Sequence, residues 1–159
     1  MPRSHDHLFE CRLVWTGGSH GPTAAYDGYD RGYRVDVEGK PPLHGSAAPA
    51  FRGDGALHNP EDLLMAALSA CHCLSYLALA ARAKVLVLGY EDRATGTMST
   101  IDGKIRFREV ILHPKVWVAR GTDLARARAM HHDAHEECFI ASSVNFPVEN
   151  QPEILERDV

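Results

Sequence analysis

The element order legible in this sequence, β-β-α-β-β-α-β, predicts an α+β domain and not a doubly wound α/β one. Three observations carry that expectation. A long apolar run over residues 59–84 bears helix start and stop signals. Alternating, β-prone stretches stand on either side of it. A second segment with helical spacing, residues 122–139, follows the last long β-prone stretch.

Taken in order, residues 8–15 alternate weakly and end at the turn signal Gly17-Gly18, a first strand. Residues 31–38 alternate clearly, with Tyr33, Val35 and Val37 on one face and Arg34, Asp36 and Glu38 on the other, a second strand. Residues 40–58 hold Pro41, Pro42, Gly45, Pro49, Gly53 and Gly55 and are expected to form a long loop. Loops of that length are usually functional or disordered, and Phe51 and Arg52 just ahead of the next helix favour function.

The central helix is expected over residues 59–84. Asn59 is a good N-cap, Pro60 suits the first turn, Glu61 and Asp62 place negative charge there, and Arg82 and Lys84 place positive charge at the end. Almost nothing between is charged, so the helix reads as apolar nearly all round and buried. Leu64, Leu68, Cys71, Leu74 and Ala78 follow three- and four-residue steps and predict the packed stripe. Ser69, His72, Ser75 and Tyr76 interrupt the run, which speaks against a membrane span.

Residues 85–100, with a bulge at Gly89, and residues 105–119 predict two strands of a hairpin turning at Asp102-Gly103. The second helix starts near Gly121 or Thr122 and is expected to reach about Phe139, with Leu124, Ala127, His131, Ala134 and Cys138 on its packed side. A short closing strand lies within residues 144–153, limited by Pro147 and Pro152.

The chain has 159 residues, 45% hydrophobic and 24% charged, which fits one globular domain over residues 1–159. A formal net charge of −4 without a basic cluster argues against nucleic acid. The opening residues lack an apolar signal region, so a reducing cytoplasm is the expected compartment. Four cysteines there are expected to be reactive, metal-bound or buried, not paired as permanent staples.

Cys71 and Cys138 lie on core-facing stripes of two helices and can meet. If they do, one can attack an oxidant and the other can condense with the resulting sulfenic acid. The attacking sulfur must be a thiolate, which needs a cation or a helix N-terminus nearby. Cys71 lies about 15 Å along the axis from Glu61 at the helical rise, too far for the helix dipole to act, so an arginine must come from elsewhere. Cys73 is about 200° round the helix from Cys71 and reads as a buried small apolar residue, as does Cys11 on a strand.

The segments NPEDLLMAALSAC and HEECFIASSVNFPV together resemble the OsmC/Ohr family, named for osmotically inducible protein C and organic hydroperoxide resistance protein. There an N-P-E motif leads the central helix, a cysteine follows its glutamate by ten residues, and a second cysteine ends a later helix. The resemblance implies a peroxidase without metal, flavin or other cofactor. Cys71 would be the thiolate that cleaves the O–O bond of an organic hydroperoxide, and Cys138 would resolve the sulfenic acid as a Cys71–Cys138 disulfide. Arg52, held by Glu61, would activate Cys71. Gly17-Gly18 is followed by Ser19 and His20 where the Ohr branch carries an arginine, so the sequence looks closer to the OsmC branch. The resemblance further implies an intertwined homodimer, with the Glu61 and Cys71 of one site drawn from different chains, and a dithiol reductant of dihydrolipoamide or thioredoxin type.

A pocket lined by Phe51, Leu64 and Leu68 would bury the tail of a hydrophobic peroxide. The same wall suits a protein that binds a hydrophobic ligand without turnover. A third reading is zinc, because His131, His135 and Cys138 share one helix face with His72 or Cys71 opposite. A cationic His72 would lower the pKa of Cys71.

Overall fold

The computed structural model describes residues 6–159, which fall into two compact units, one ending at Leu63 and the other spanning Leu64–Val159.

In the first unit β1 (Arg12–Trp15), β2 (Tyr33–Asp36) and β3 (Leu43–Gly45) form an antiparallel sheet in the order β1-β2-β3. The strands are shorter than the alternating stretches suggest. β3 arises inside the segment expected to be a loop, because the free edge of β2 offers its backbone groups a partner. Gly45 faces Tyr33 in register, where a Cβ would run into the phenol ring. Beyond it the chain is ordered by local bonds. Pro49–Phe51 makes a 3-10 turn closed by Arg52 in the left-handed region at φ 63°, and the buried Ser46 hydroxyl accepts from the Asp54 amide at 3.1 Å. The helix start is a reciprocal cap: the Asn59 side chain accepts from the Asp62 amide at 2.9 Å, and the Asp62 carboxylate accepts from the Asn59 amide at 3.2 Å.

α1 (Pro60–Arg82) runs on through the second unit. Its buried positions are Leu68, His72, Tyr76 and Ala80, one every fourth residue, while Ala66, Ala70, Leu74 and Ala78 are exposed. The packed stripe is therefore rotated from the one expected: Leu74 is 68% exposed, and two residues whose polarity suggested interruption sit at the centre. Both find a hydrogen bond inside, which offsets part of the penalty that polarity would otherwise impose. Within one chain α1 is covered on a single side. Its length and composition would allow it to cross a bilayer, yet its buried stripe packs on protein.

The expected hairpin is present but bent at both strands. β5 (Thr95–Ile101) and β6 (Lys104–Leu112) pair across a two-residue turn of Asp102 and Gly103, both at positive φ, while β4 (Val87–Asp92) pairs with β7 (Pro114–Ala119). The breaks at Arg93-Ala94 and His113 divide the arms into two sheets, one built on β5-β6 and the other on β4-β7. Asp92 holds that corner, accepting from the His113 amide at 2.7 Å and from the Ser69 hydroxyl of α1. The bulge at Gly89 is confirmed by the register shift between Val87 and Gly89. The closing segment is two strands, β8 (Val148–Asn150) and β9 (Glu153–Arg157), running parallel to β6 and β7.

α2 (Leu124–Glu136) is capped by Asp123, one residue beyond the expected cap, and ends before Cys138. Two apolar clusters result. Tyr76 and Ala80 pack with Val116, Val118, Ala127, Met130, Ala134 and Ile154; Leu68 packs with Val110 and Leu112. Leu68 has no exposed surface, so Leu68→Ala is expected to cost about 2–5 kcal/mol, read from urea unfolding, whereas an equivalent truncation at an uncovered position would cost a fraction of that.

Candidate active site

The second unit brings Cys71 and Cys138 together. Cys71 is half-buried on α1, Cys138 is buried just past α2, and the two thiols are near enough neighbours for the Cys71 thiol to act on the titration of Cys138. Cys138 is tied down on every side: its amide donates to the His135 carbonyl at 3.1 Å, its carbonyl accepts from the Ser142 amide and hydroxyl, both at 3.0 Å, and its sulfur accepts from the Ala141 amide at 3.5 Å. Burial pushes its thiol up to about 11; the Ala141 amide opposes the rise and the Cys71 thiol adds to it. A thiol so placed stays protonated at neutral pH, which suits a group that attacks second.

The other two cysteines stand apart in character. Burial, and then the Asp92 carboxylate, raise the Cys73 thiol, which is half-buried where a buried residue was expected. Cys11 is exposed and precedes β1, contrary to the buried reading, because the first strand begins only at Arg12.

Arg52 and Glu61 belong to the first unit, and no hydrogen bond or ion pair joins them among the described residues. Arg52 is exposed, its guanidinium 5.9 Å from the centre of the Tyr26 ring, and it lines a polar cleft of about 460 Å³ with Asp30, Arg31 and Asp54. Glu61 keeps one buried carboxylate oxygen, Oε2, without a partner, and so does the Tyr33 hydroxyl. Burial, with the Glu61 and Asp62 carboxylates beside it, raises the Tyr33 phenol.

The expected apolar wall is altered. Phe51 lies in the first unit, 38% exposed; Leu64 packs against the Leu68 cluster; and Leu68 is sealed beneath β6, so it supports a surface and cannot line one.

The feature that sequence reasoning missed is a pair of stacked, buried imidazoles. His72 Nε2 and His131 Nδ1 are 3.0 Å apart, and both residues are 1% exposed. Tyr76 stacks on His131 with ring centres 4.0 Å apart and donates its hydroxyl to the Ala127 carbonyl at 3.1 Å. The signal was present: His72 and Tyr76 are one turn apart, and His131 lies between Ala127 and Ala134 on the packed face of α2. Burial is the main cause that lowers both histidines. His72 falls to about 4, with His135 opposing its charge and Asp92 favouring it; His131 falls to about 3, with His72 and Arg128 adding to the effect. His72 is therefore neutral at pH 7 and supplies no cation to Cys71. The zinc reading also fails to find its geometry: His131 spends Nδ1 on His72, and no group of three or more His, Cys, Asp or Glu converges among the described residues.

An α+β domain carrying two apposed thiols, one of them buried at a helix end, is the class that this geometry defines. Residues 53–152 match the model of the OsmC-like protein family, and the chain belongs to that family. Its structure resembles an OsmC-like protein of unknown function from Vibrio cholerae O1 biovar eltor, with 30% identity, 93% of this chain and 100% of that one covered, and a TM-score of 0.85. The fold is shared with an organic hydroperoxide resistance protein from Elizabethkingia anophelis, at 20% identity, coverage of 96% and 100%, and a TM-score of 0.68. It is shared also with one from Legionella pneumophila, at 18% identity, coverage of 94% and 99%, and a TM-score of 0.64. No curated protein matches the chain.

The histidine pair makes stability depend on pH. Both groups are neutral when folded and titrate near the ordinary 6.5 when unfolded, so below that value the unfolded chain binds more protons. Their stabilising contribution is fully present above pH 6.5 and is lost as pH falls toward 4 and then 3. Urea unfolding from pH 7 to pH 4 is expected to show stability falling by up to about 1.4 kcal/mol per pH unit for each histidine, with a shallower slope in His131→Phe.

Proposed function

We propose that this protein is a cysteine-based peroxidase that reduces organic hydroperoxides to alcohols, and the apposition of Cys71 and Cys138 is the observation that carries the reading. The Cys71 thiolate attacks one peroxide oxygen; the O–O bond breaks, the departing alkoxide takes a proton and leaves as the alcohol, and Cys71 becomes a sulfenic acid. The Cys138 sulfur then attacks Cys71, its proton joins the departing hydroxide as water, and a disulfide remains. An external dithiol, of dihydrolipoamide or thioredoxin type, reopens it by exchange and is itself oxidised. Family membership supports this chemistry, as do the names of the hydroperoxide resistance proteins that share the fold.

Arg52 and Glu61 are the proposed activating pair. The unpartnered Oε2 of Glu61 is an acceptor that a guanidinium would satisfy, and Arg52 has no ion-pair partner among the described residues. The working form is a homodimer in the cytoplasm, acting without cofactor, nucleic acid or membrane. The exposed stripe of Ala66, Ala70, Leu74 and Ala78 supports the dimer, since an apolar helix face left in water favours a cover.

Stopped-flow mixing of the reduced protein with cumene hydroperoxide and with hydrogen peroxide tests the reading. Two thiols are expected to disappear, faster with the organic peroxide, giving a Cys71–Cys138 disulfide; Cys71→Ser abolishes the reaction and Cys138→Ser halts it at the sulfenic acid. Thiols inert to both peroxides would overturn the proposal. Sedimentation tests the dimer: the wild type is expected to sediment as a dimer and Leu74→Asp as a monomer, and an unchanged profile would move the interface elsewhere.

A further inference from the structure

The buried imidazoles are not explained by stability. In a hydrogen-bonded pair of neutral histidines, one ring nitrogen donates inward and the other accepts, so one outer nitrogen is left as a donor and the other as an acceptor. Those outer atoms, His72 Nδ1 and His131 Nε2, are buried and have no partner. Each such atom costs about 1–3 kcal/mol, and apolar residues of similar volume are often neutral or stabilising at such sites. What a buried polar pair supplies that apolar packing does not is direction, because a hydrogen bond is satisfied at one rotation and height of the two helices only.

The direction it sets is that of the thiols. His72 follows Cys71 on α1, so fixing the rotation of one fixes the other. On α2, His131 lies in the second half of the helix, and Cys138 follows just beyond the helix end. The bond from the Cys138 amide to the His135 carbonyl attaches it to the last turn of that helix, so it moves with His131. Tyr76, one turn past His72, packs on His131 and bonds the α2 backbone, giving the lock a second point of support. The Arg82–Glu137 ion pair spans 3.5 Å but lies in solvent and adds little.

We propose that the His72–His131 pair is a positioning element that sets the rotation of α1 against α2 and thereby holds Cys71 and Cys138 at reacting distance. The inference deepens the peroxidase reading and rests on Cys71 and Cys138 acting as a pair. Its test needs no peroxide, so the two can fail separately.

The full-length protein is equilibrated with glutathione and its disulfide, where the protein dithiol and one oxidised glutathione exchange to give the protein disulfide and two reduced glutathiones. The Cys71–Cys138 disulfide is read by alkylation and mass spectrometry. His72→Phe and His131→Phe keep a ring in place but remove the hydrogen bond. They are expected to lower the effective concentration of the thiols about ten-fold, raising the reduction potential by about 30 mV. His131→Asn, which returns a polar atom near the place of Nδ1, is expected to recover part of the loss. Tyr76→Phe, which leaves both imidazoles, is expected to give a smaller shift in the same direction and serves if the histidine variants do not fold. A wild-type potential in the folded variants would overturn the proposal, as would a wild-type protein that forms no Cys71–Cys138 disulfide. A shifted potential in a protein inert to peroxides would sustain this inference and sink the peroxidase.

Discussion

One stripe of α1 decides where everything in the second unit can stand. Leu68, His72, Tyr76 and Ala80 recur every fourth residue, so they present a single face, and two separate clusters form along it. Leu68 meets β6 at one end; Tyr76 and Ala80 meet β7, β9 and α2 at the other. Because the two arms of the bent hairpin pack on different lengths of the same helix, the hairpin must turn its corner where Asp92 bonds both the helix and the β6–β7 junction. The site follows from that arrangement, since α2 is delivered against the middle of α1 beside Cys71.

The proposed chemistry rests on unequal burial of two thiols. Cys138 is hidden and its proton is held by the low polarity around it, while Cys71 retains access to solvent. In the proposed reaction that division sets the order of events, with the accessible sulfur meeting the oxidant and the hidden one reacting only with a neighbour already at hand. A buried thiol that cannot reach bulk reagents is also protected from further oxidation.

The first unit carries a different kind of tension. Glu61 stands in the first turn of α1, where the helix dipole favours a carboxylate, yet one of its oxygens is buried without a donor, and the hydroxyl of Tyr33 on β2 is unpartnered as well.

Much of this was legible in the chain itself. The cap of α1 follows from Asn59 and Asp62, the tight turn from Asp102-Gly103, and the bulge from Gly89, because each depends on local conformational preference within a few residues. That Cys71 and Cys138 could meet, and the family resemblance, likewise needed no coordinates, although Cys138 lies just past α2 and not on it. What the tertiary structure decided was phase and partnership. Polarity read one residue at a time puts Leu74 inside and His72 outside, but His72 is buried because His131, distant in sequence, completes its hydrogen bond. The same holds for β3, which needs the edge of β2, and for the corner at Asp92, which needs Ser69. Helical spacing already set His131 among the packed positions of α2, but neither segment's spacing names the other's partner, so only the folded chain could show that His72 is buried against it.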